Sequence, residues 1–181
     1  MRSTLLIAFF FLSCKSYAQN DCLWMSPGFG VAFGKKSYMA HIDISATYLR
    51  YNRWGFSLTG GANGRTLIGS KPNSLKSYSG FSVQFAYNFI PYGNSDIKLI
   101  GRAGITHGAG YLIKENFVNN VDSIVQNSNN YTTEYTSFGA DLSIEYLFSH
   151  RDQRAWSMQF FAMITRHPFA GVCVRFSLGG F

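Results

Sequence analysis

The chain is short of charge. Only 14% of its 181 residues are Asp, Glu, Lys or Arg, whereas a soluble domain carries about 25%. An ordinary water-facing surface is hard to build from so few charges. Long apolar runs are missing as well. The longest lies at residues 5–12, far below the roughly 20 residues a spanning helix needs, so helical membrane spans are excluded. Cysteine is scarce, with three in all, and no Cys/His spacing has the form of a zinc module. The formal charge of +7 is spread along the chain. No basic run interleaved with stacking aromatics is present, which excludes the usual nucleic-acid footprint. The stretch 119–130 lacks the regular acidic ligands of a calcium loop, and the glycines at 101, 104, 108 and 110 form no phosphate loop. No cofactor is expected.

What is present begins with an export signal. Arg2 is followed by the apolar run 5–12, and Ser16 and Ala18 are small residues before Gln19. This pattern predicts a cleaved signal peptide at 1–18 and a single mature domain at 19–181. Lipidation at Cys14 is the other reading; bulky Leu12, two residues before the cysteine, fits it poorly.

The mature chain alternates apolar and polar residues. Phe81, Val83, Phe85, Tyr87 and Phe89 would share one face of a strand, with Ser82, Gln84, Ala86 and Asn88 on the other. The same period of two runs through 40–48, 138–148 and 172–178, and it marks strands with two unlike faces. About eight strands are predicted, at 28–34, 38–50, 55–65, 78–90, 97–113, 132–148, 155–165 and 171–181. Links near 51–54, 91–96 and 149–154 are short and turn-like, whereas 66–77 and 114–131 are long. Short turns at one end and long loops at the other are the asymmetry of outer-membrane barrels, although the first and last links at the long-loop end, 35–37 and 166–168, are short.

Aromatics make up 17% of residues and gather near strand ends. Tyr48, Trp54, Phe56, Phe89, Tyr92, Phe148 and Trp156 would ring one interface. Phe33, Tyr38, Tyr78, Phe81, Tyr111, Tyr135 and Phe169 would ring the other. Two such rings are expected of a barrel standing in a bilayer.

With these features the chain resembles the small eight-stranded outer-membrane barrels, among them the OmpA transmembrane domain and OmpX. The resemblance implies an all-β fold: a closed antiparallel up-and-down transmembrane β-barrel. It implies a Gram-negative outer membrane, insertion by the barrel-assembly machinery, and a monomer in contact with lipid and lipopolysaccharide. The family's insertion signal is a final strand of alternating hydrophobics ending in an aromatic, carried here by Val172, Val174, Phe176, Leu178 and Phe181. Gly179 and Gly180 interrupt that alternation, so the last two residues, Gly180 and Phe181, are expected to extend beyond the sheet.

Six charged residues, Asp43, Lys98, Arg102, Asp141, Glu145 and Arg175, fall on polar faces. Three acids against three bases suit a narrow lumen in which charges pair, with Arg175 beside Asp43 across the closure and Arg102 beside Asp141 or Glu145. Lys35, Lys36, Lys71, Lys76 and Arg166 fall at the outer rim, where they could meet lipid A phosphates. Cys22 and Cys173 would lie at opposite ends of adjacent strands, beyond the reach of a disulfide. Some barrels of this size modify lipid A, as PagL and PagP do. The PagL-type pair is His-x-Ser, and none of the four histidines has Ser two residues on. His107 with loop serines is the remaining way to build a triad, and no catalytic residue is assigned. A soluble lipocalin-type barrel, with its apolar face turned inward, is the rival fold.

Overall fold

A computed structural model describes residues 21–34, 37–65, 74–91, 97–116, 129–149 and 154–180. They form eight strands: β1 (Cys22–Gly34), β2 (Ser37–Arg50), β3 (Trp54–Arg65), β4 (Ser74–Asn88), β5 (Ile97–Asn116), β6 (Asn129–Ser149), β7 (Arg154–Ile164) and β8 (Phe169–Gly180). Each strand pairs antiparallel with the next, and β8 closes on β1. The barrel is therefore up-and-down, with no free sheet edge.

The eight strands agree with the periodicity, but several boundaries differ. β1 begins six residues earlier than the alternation from Gly28 indicates. Pro27 obscures that extension, because proline reads as a strand breaker. It is tolerated at a cost visible in the ladder. β1 and β8 pair at Met25–Leu178 and resume at Gly28–Arg175, skipping Ser26 and Pro27. Proline has no N–H to give, and the Ser26 and Ser177 hydroxyls meet there at 2.6 Å. At the other end, Gly179 and Gly180 stay in the sheet opposite Trp24 and Leu23, which corrects the expectation for Gly180; Phe181, the other residue expected to leave, lies outside the described residues. Gly179 takes φ 149°, a conformation open to glycine but not to larger residues.

The link from β2 to β3 is a tight turn with Tyr51 and Asn52 both at positive φ, 53° and 52°, the geometry that suits the twist of a hairpin. Tyrosine is an uncommon occupant of that region. Asp21 holds it there: its carboxylate accepts the Tyr51 N–H at 2.9 Å and the Tyr48 hydroxyl at 2.7 Å. These bonds keep the Asp21 carboxyl below the ordinary carboxylate range. A depressed carboxyl stabilises the fold above its unfolded pKa, and that contribution is lost as the pH falls through the folded value. Asp21→Asn should therefore lower stability near pH 7 and lose its effect in acid. Thermal unfolding followed from pH 7 to pH 2 checks this; an unchanged gap between variant and parent at low pH would count against it.

The faces of the sheet decide what the cylinder is. Phe29, Ile42, Ile44, Leu58, Phe81, Phe85, Ile105, Phe138, Ile144 and Phe160 all point outward and are exposed. Ser45, Thr47, Ser57, Gln84, Arg102, Asp141, Glu145, Gln159 and Arg175 all point inward and are buried. The interior is layered. At the short-turn end Cys22, Trp24, Leu49, Ala86, Ile100, Leu147 and Ala155 form an apolar plug. At the opposite end Ala32, Met39, Tyr78, Tyr135, Phe161, Met163, Phe169 and Cys173 form another. Asp43, Arg102, Asp141, Glu145 and Arg175 lie between them. Tyr78, Tyr135 and Phe169 thus belong to the inner plug and not to the outer aromatic ring assigned from position along the strand. Their parity matches that of the inward residues Ser82, Ser137 and Cys173, and alternation sets the face.

Candidate functional site

The charged layer is built around two bare positions on β1. Gly28 stands opposite Asp43 on β2 and Arg175 on β8; Gly30 stands opposite His41 on β2 and Cys173 on β8. With no side chain between them, residues from β2 and β8 meet across β1. A Cβ at Gly28 would come within 2.4 Å of the Asp43 carboxylate and 2.7 Å of the Arg175 stem. One at Gly30 would lie 2.0 Å from the Val172 carbonyl and 2.6 Å from the Cys173 backbone. Neither distance is available to a real Cβ, so both positions require glycine for space.

Two ion pairs result. Arg175 donates to Asp43 at 2.5 Å and to Ser45 at 3.1 Å. Arg102 donates to Glu145, which also accepts the Ser157 hydroxyl, and to Thr47 at 3.2 Å. Both pairs are almost fully removed from solvent. His41 lies beside the first pair, with Nε2 3.0 Å from the Asp43 carboxylate and Nδ1 2.6 Å from the Asn63 side-chain oxygen. The ring of Phe161 covers it, 4.3 Å away centre to centre. The Cys173 thiol donates to the Gln159 oxygen at 3.3 Å and lies 3.8 Å from Asp43.

The six lumen charges do not all pair as the count of three against three implied. Glu145, not Asp141, takes Arg102. Lys98 turns toward the short-turn end and gives its ammonium to the Asn52 side chain at 2.6 Å. Asp141 is buried and is in no ion pair among the described residues. Arg102 pairs in register with Ser143, so Asp141 and Glu145 lie equally far from it along β6, and the guanidinium turns to Glu145, which Ser157 also holds. Between Asp43, Asp141, Gln84, Gln159 and Arg175 only about 10 Å³ is left open, close to the least that holds a single water.

The remaining predicted residues lie on the outside or outside the described set. Val172, Val174, Phe176 and Leu178 occupy the outward face of β8, with the Phe176 ring 5.0 Å from that of Trp156. Phe181 lies outside the described residues, as does the 1–18 segment. So do Lys35, Lys36, Lys71 and the Lys76 side chain. Arg166 is exposed in the bend between β7 and β8. Beside it, burial and then the nearby Arg166 charge hold His167 below the ordinary histidine range, so Arg166 supplies the positive charge of that bend at pH 7. His107 stands on the outward face of β5 between Phe81 and Phe138, with ring centres 5.8 and 4.2 Å away. Cys22 and Cys173 are free thiols. The grouping of His41, Cys173 and Gln159 was not read from the sequence. Their parity marks each as inward, but their meeting depends on closure of β8 on β1.

The sequence matches no protein-family model and no curated protein. Solved structures do share the fold. Ail, the attachment invasion locus protein of Yersinia pestis, superposes with a TM-score of 0.56 at 12% identity, over 89% of this chain and 97% of that one. Neisserial surface protein A gives 0.57 at 11% identity, over 92% and 100%. The outer membrane protein OprG from Pseudomonas aeruginosa gives 0.52 at 11% identity, over 89% and 93%. The chain thus has the fold of the small eight-stranded outer-membrane barrels.

Proposed function

We propose that the protein is an integral outer-membrane barrel of a Gram-negative bacterium, exported by residues 1–18, and that it has a non-enzymatic envelope role. One observation carries this reading: the cylinder is inverted relative to a soluble protein. Large apolar side chains cover its outside, and charged and amide side chains fill its inside. A soluble monomer seldom exposes more than a few hundred Å² of continuous apolar surface, whereas a bilayer requires such a belt. The same inversion counts against a lipocalin-type barrel, whose apolar face would line a ligand cavity. The sealed interior makes the cylinder an anchor, so the outer loops are the working parts. Arg166, with Lys35, Lys36, Lys71 and Lys76, would meet lipopolysaccharide phosphates there.

Two measurements test this. The protein should remain with outer membranes after a carbonate wash and should change gel mobility on boiling; recovery as a soluble periplasmic monomer would overturn the membrane reading. Lipid A from cells with and without the gene should have the same mass spectrum. A change in acylation that depends on the gene would replace the non-enzymatic role with a lipid-modifying one.

A further inference from the structure

The Arg175–Asp43 pair accounts for the carboxylate of the central layer but not for the imidazole and the thiol gathered beside it. We propose that His41, Asp43 and Cys173 bind one divalent transition-metal ion, zinc by the nature of the donors, inside the sealed lumen. An imidazole, a carboxylate and a thiol gather so that one ligand atom of each lies within 4.8 Å of the others. Zinc bonds run about 2.0–2.3 Å, which puts tetrahedral ligand atoms about 3.3–3.8 Å apart. His41 Nε2 and Cys173 Sγ lie 3.0 and 3.8 Å from the same Asp43 oxygen, so small side-chain adjustments would complete the site. Gln159 Oε1, 3.3 Å from the thiol, is placed to be the fourth ligand.

The surroundings are those of a metal ligand. A ligating histidine commonly gives its other ring N–H to a carbonyl or carboxylate, which fixes the ring. His41 Nδ1 faces the Asn63 oxygen at 2.6 Å, and Nε2 is turned to the site. Arg175, His41 and Cys173 all face the same Asp43 oxygen, Oδ2, and the second oxygen, Oδ1, is buried with no hydrogen-bond partner. A turn of the carboxylate would leave Oδ2 to the ion and give Oδ1 to the guanidinium. Lys98 is drawn off to Asn52, so the central layer sets the carboxyl side chains of Asp43, Asp141 and Glu145 against the guanidinium groups of Arg102 and Arg175, a balance that does not repel a cation.

The apolar plugs above and below the layer mean that the ion would enter while the barrel folds. The experiment is to refold the purified protein in detergent with equimolar zinc, remove loose metal with a chelator, and measure bound metal. A parallel refolding with cobalt reads thiolate ligation from its charge-transfer absorption. Wild type and Cys22→Ser should retain one ion per chain and show the cobalt–thiolate band. Cys173→Ser and His41→Ala should lose both, and Asn63→Ala should weaken binding about 10–100-fold. The boiling-dependent gel shift confirms that each variant has folded; Cys173→Ala and His41→Gln replace any that has not. Metal-free, fully folded wild type would overturn the site. So would retention by both the Cys173 and His41 variants, or loss in Cys22→Ser. The readout is metal content, so it stands or falls apart from membrane residence.

Discussion

Glu145→Leu should destabilise the barrel by about 3–5 kcal/mol, the usual cost of stranding one member of a buried ion pair. Glu145 and Arg102 have no solvent-exposed side-chain surface. Without the carboxylate, the Arg102 guanidinium keeps, among the described residues, only Thr47 as a side-chain hydrogen-bond partner, and the Ser157 hydroxyl loses its acceptor. Adding Arg102→Met should restore most of the loss, because an apolar pair of similar volume costs neither charge its solvation. Buried pairs replaced in this way are often neutral or more stable by about 1–4 kcal/mol. Urea unfolding of the detergent-refolded protein, followed by the loss of boiling-sensitive mobility, gives the four corners of the cycle. A single variant that unfolds within about 1 kcal/mol of wild type would show a pair behaving as if solvent-exposed. The pair would then not be the solvent-free ion pair described above.

The second large effect is on conduction. The purified protein in planar bilayers should show no steady conductance. A barrel of about eight strands leaves an interior that side chains can fill, and here two apolar plugs bracket a charged layer with only about 10 Å³ open in it. An ion crossing it would have to shed water against Trp24 and Leu49 at one end and Tyr78 and Phe161 at the other. Between them it would have to part the Arg175–Asp43 and Arg102–Glu145 pairs. Stable channels from the wild-type monomer would contradict this packing. The combined variant Phe161→Ala, Tyr78→Ala and Trp24→Ala should be the first to leak if the plugs are the barrier.

Much of this molecule could be read from its alternation. In β4 the face carrying Ser82, Gln84 and Asn88 is separated from that carrying Phe81, Val83 and Phe85 by the strand pleat alone, which needs no tertiary information. The same rule extended to Tyr78, Tyr135 and Phe169 would have put them inside; reading them by closeness to a strand end put them in the outer ring. Position along a strand says how deep a residue lies, and parity says which way it points. Pro27 hid the first turns of β1 because its missing N–H matters only where a partner needs it, and that depends on the ladder to β8.

The sequence by itself determined the number of strands and the grouping of residues on each strand face, because both follow from local backbone geometry. It did not determine which face was the inside. An apolar-in barrel and an apolar-out barrel have the same alternation, and only closure with these registers turns Asp43, Arg102, Glu145 and Arg175 inward. Nor did it determine which charges meet. Asp43 and Arg175 are 132 positions apart, and they touch because β8 docks on β1 where Gly28 leaves the wall bare. The same docking brings His41 and Cys173 together over Gly30. No spacing along the chain encodes that meeting, because the two side chains belong to strands that become near neighbours only when the cylinder closes.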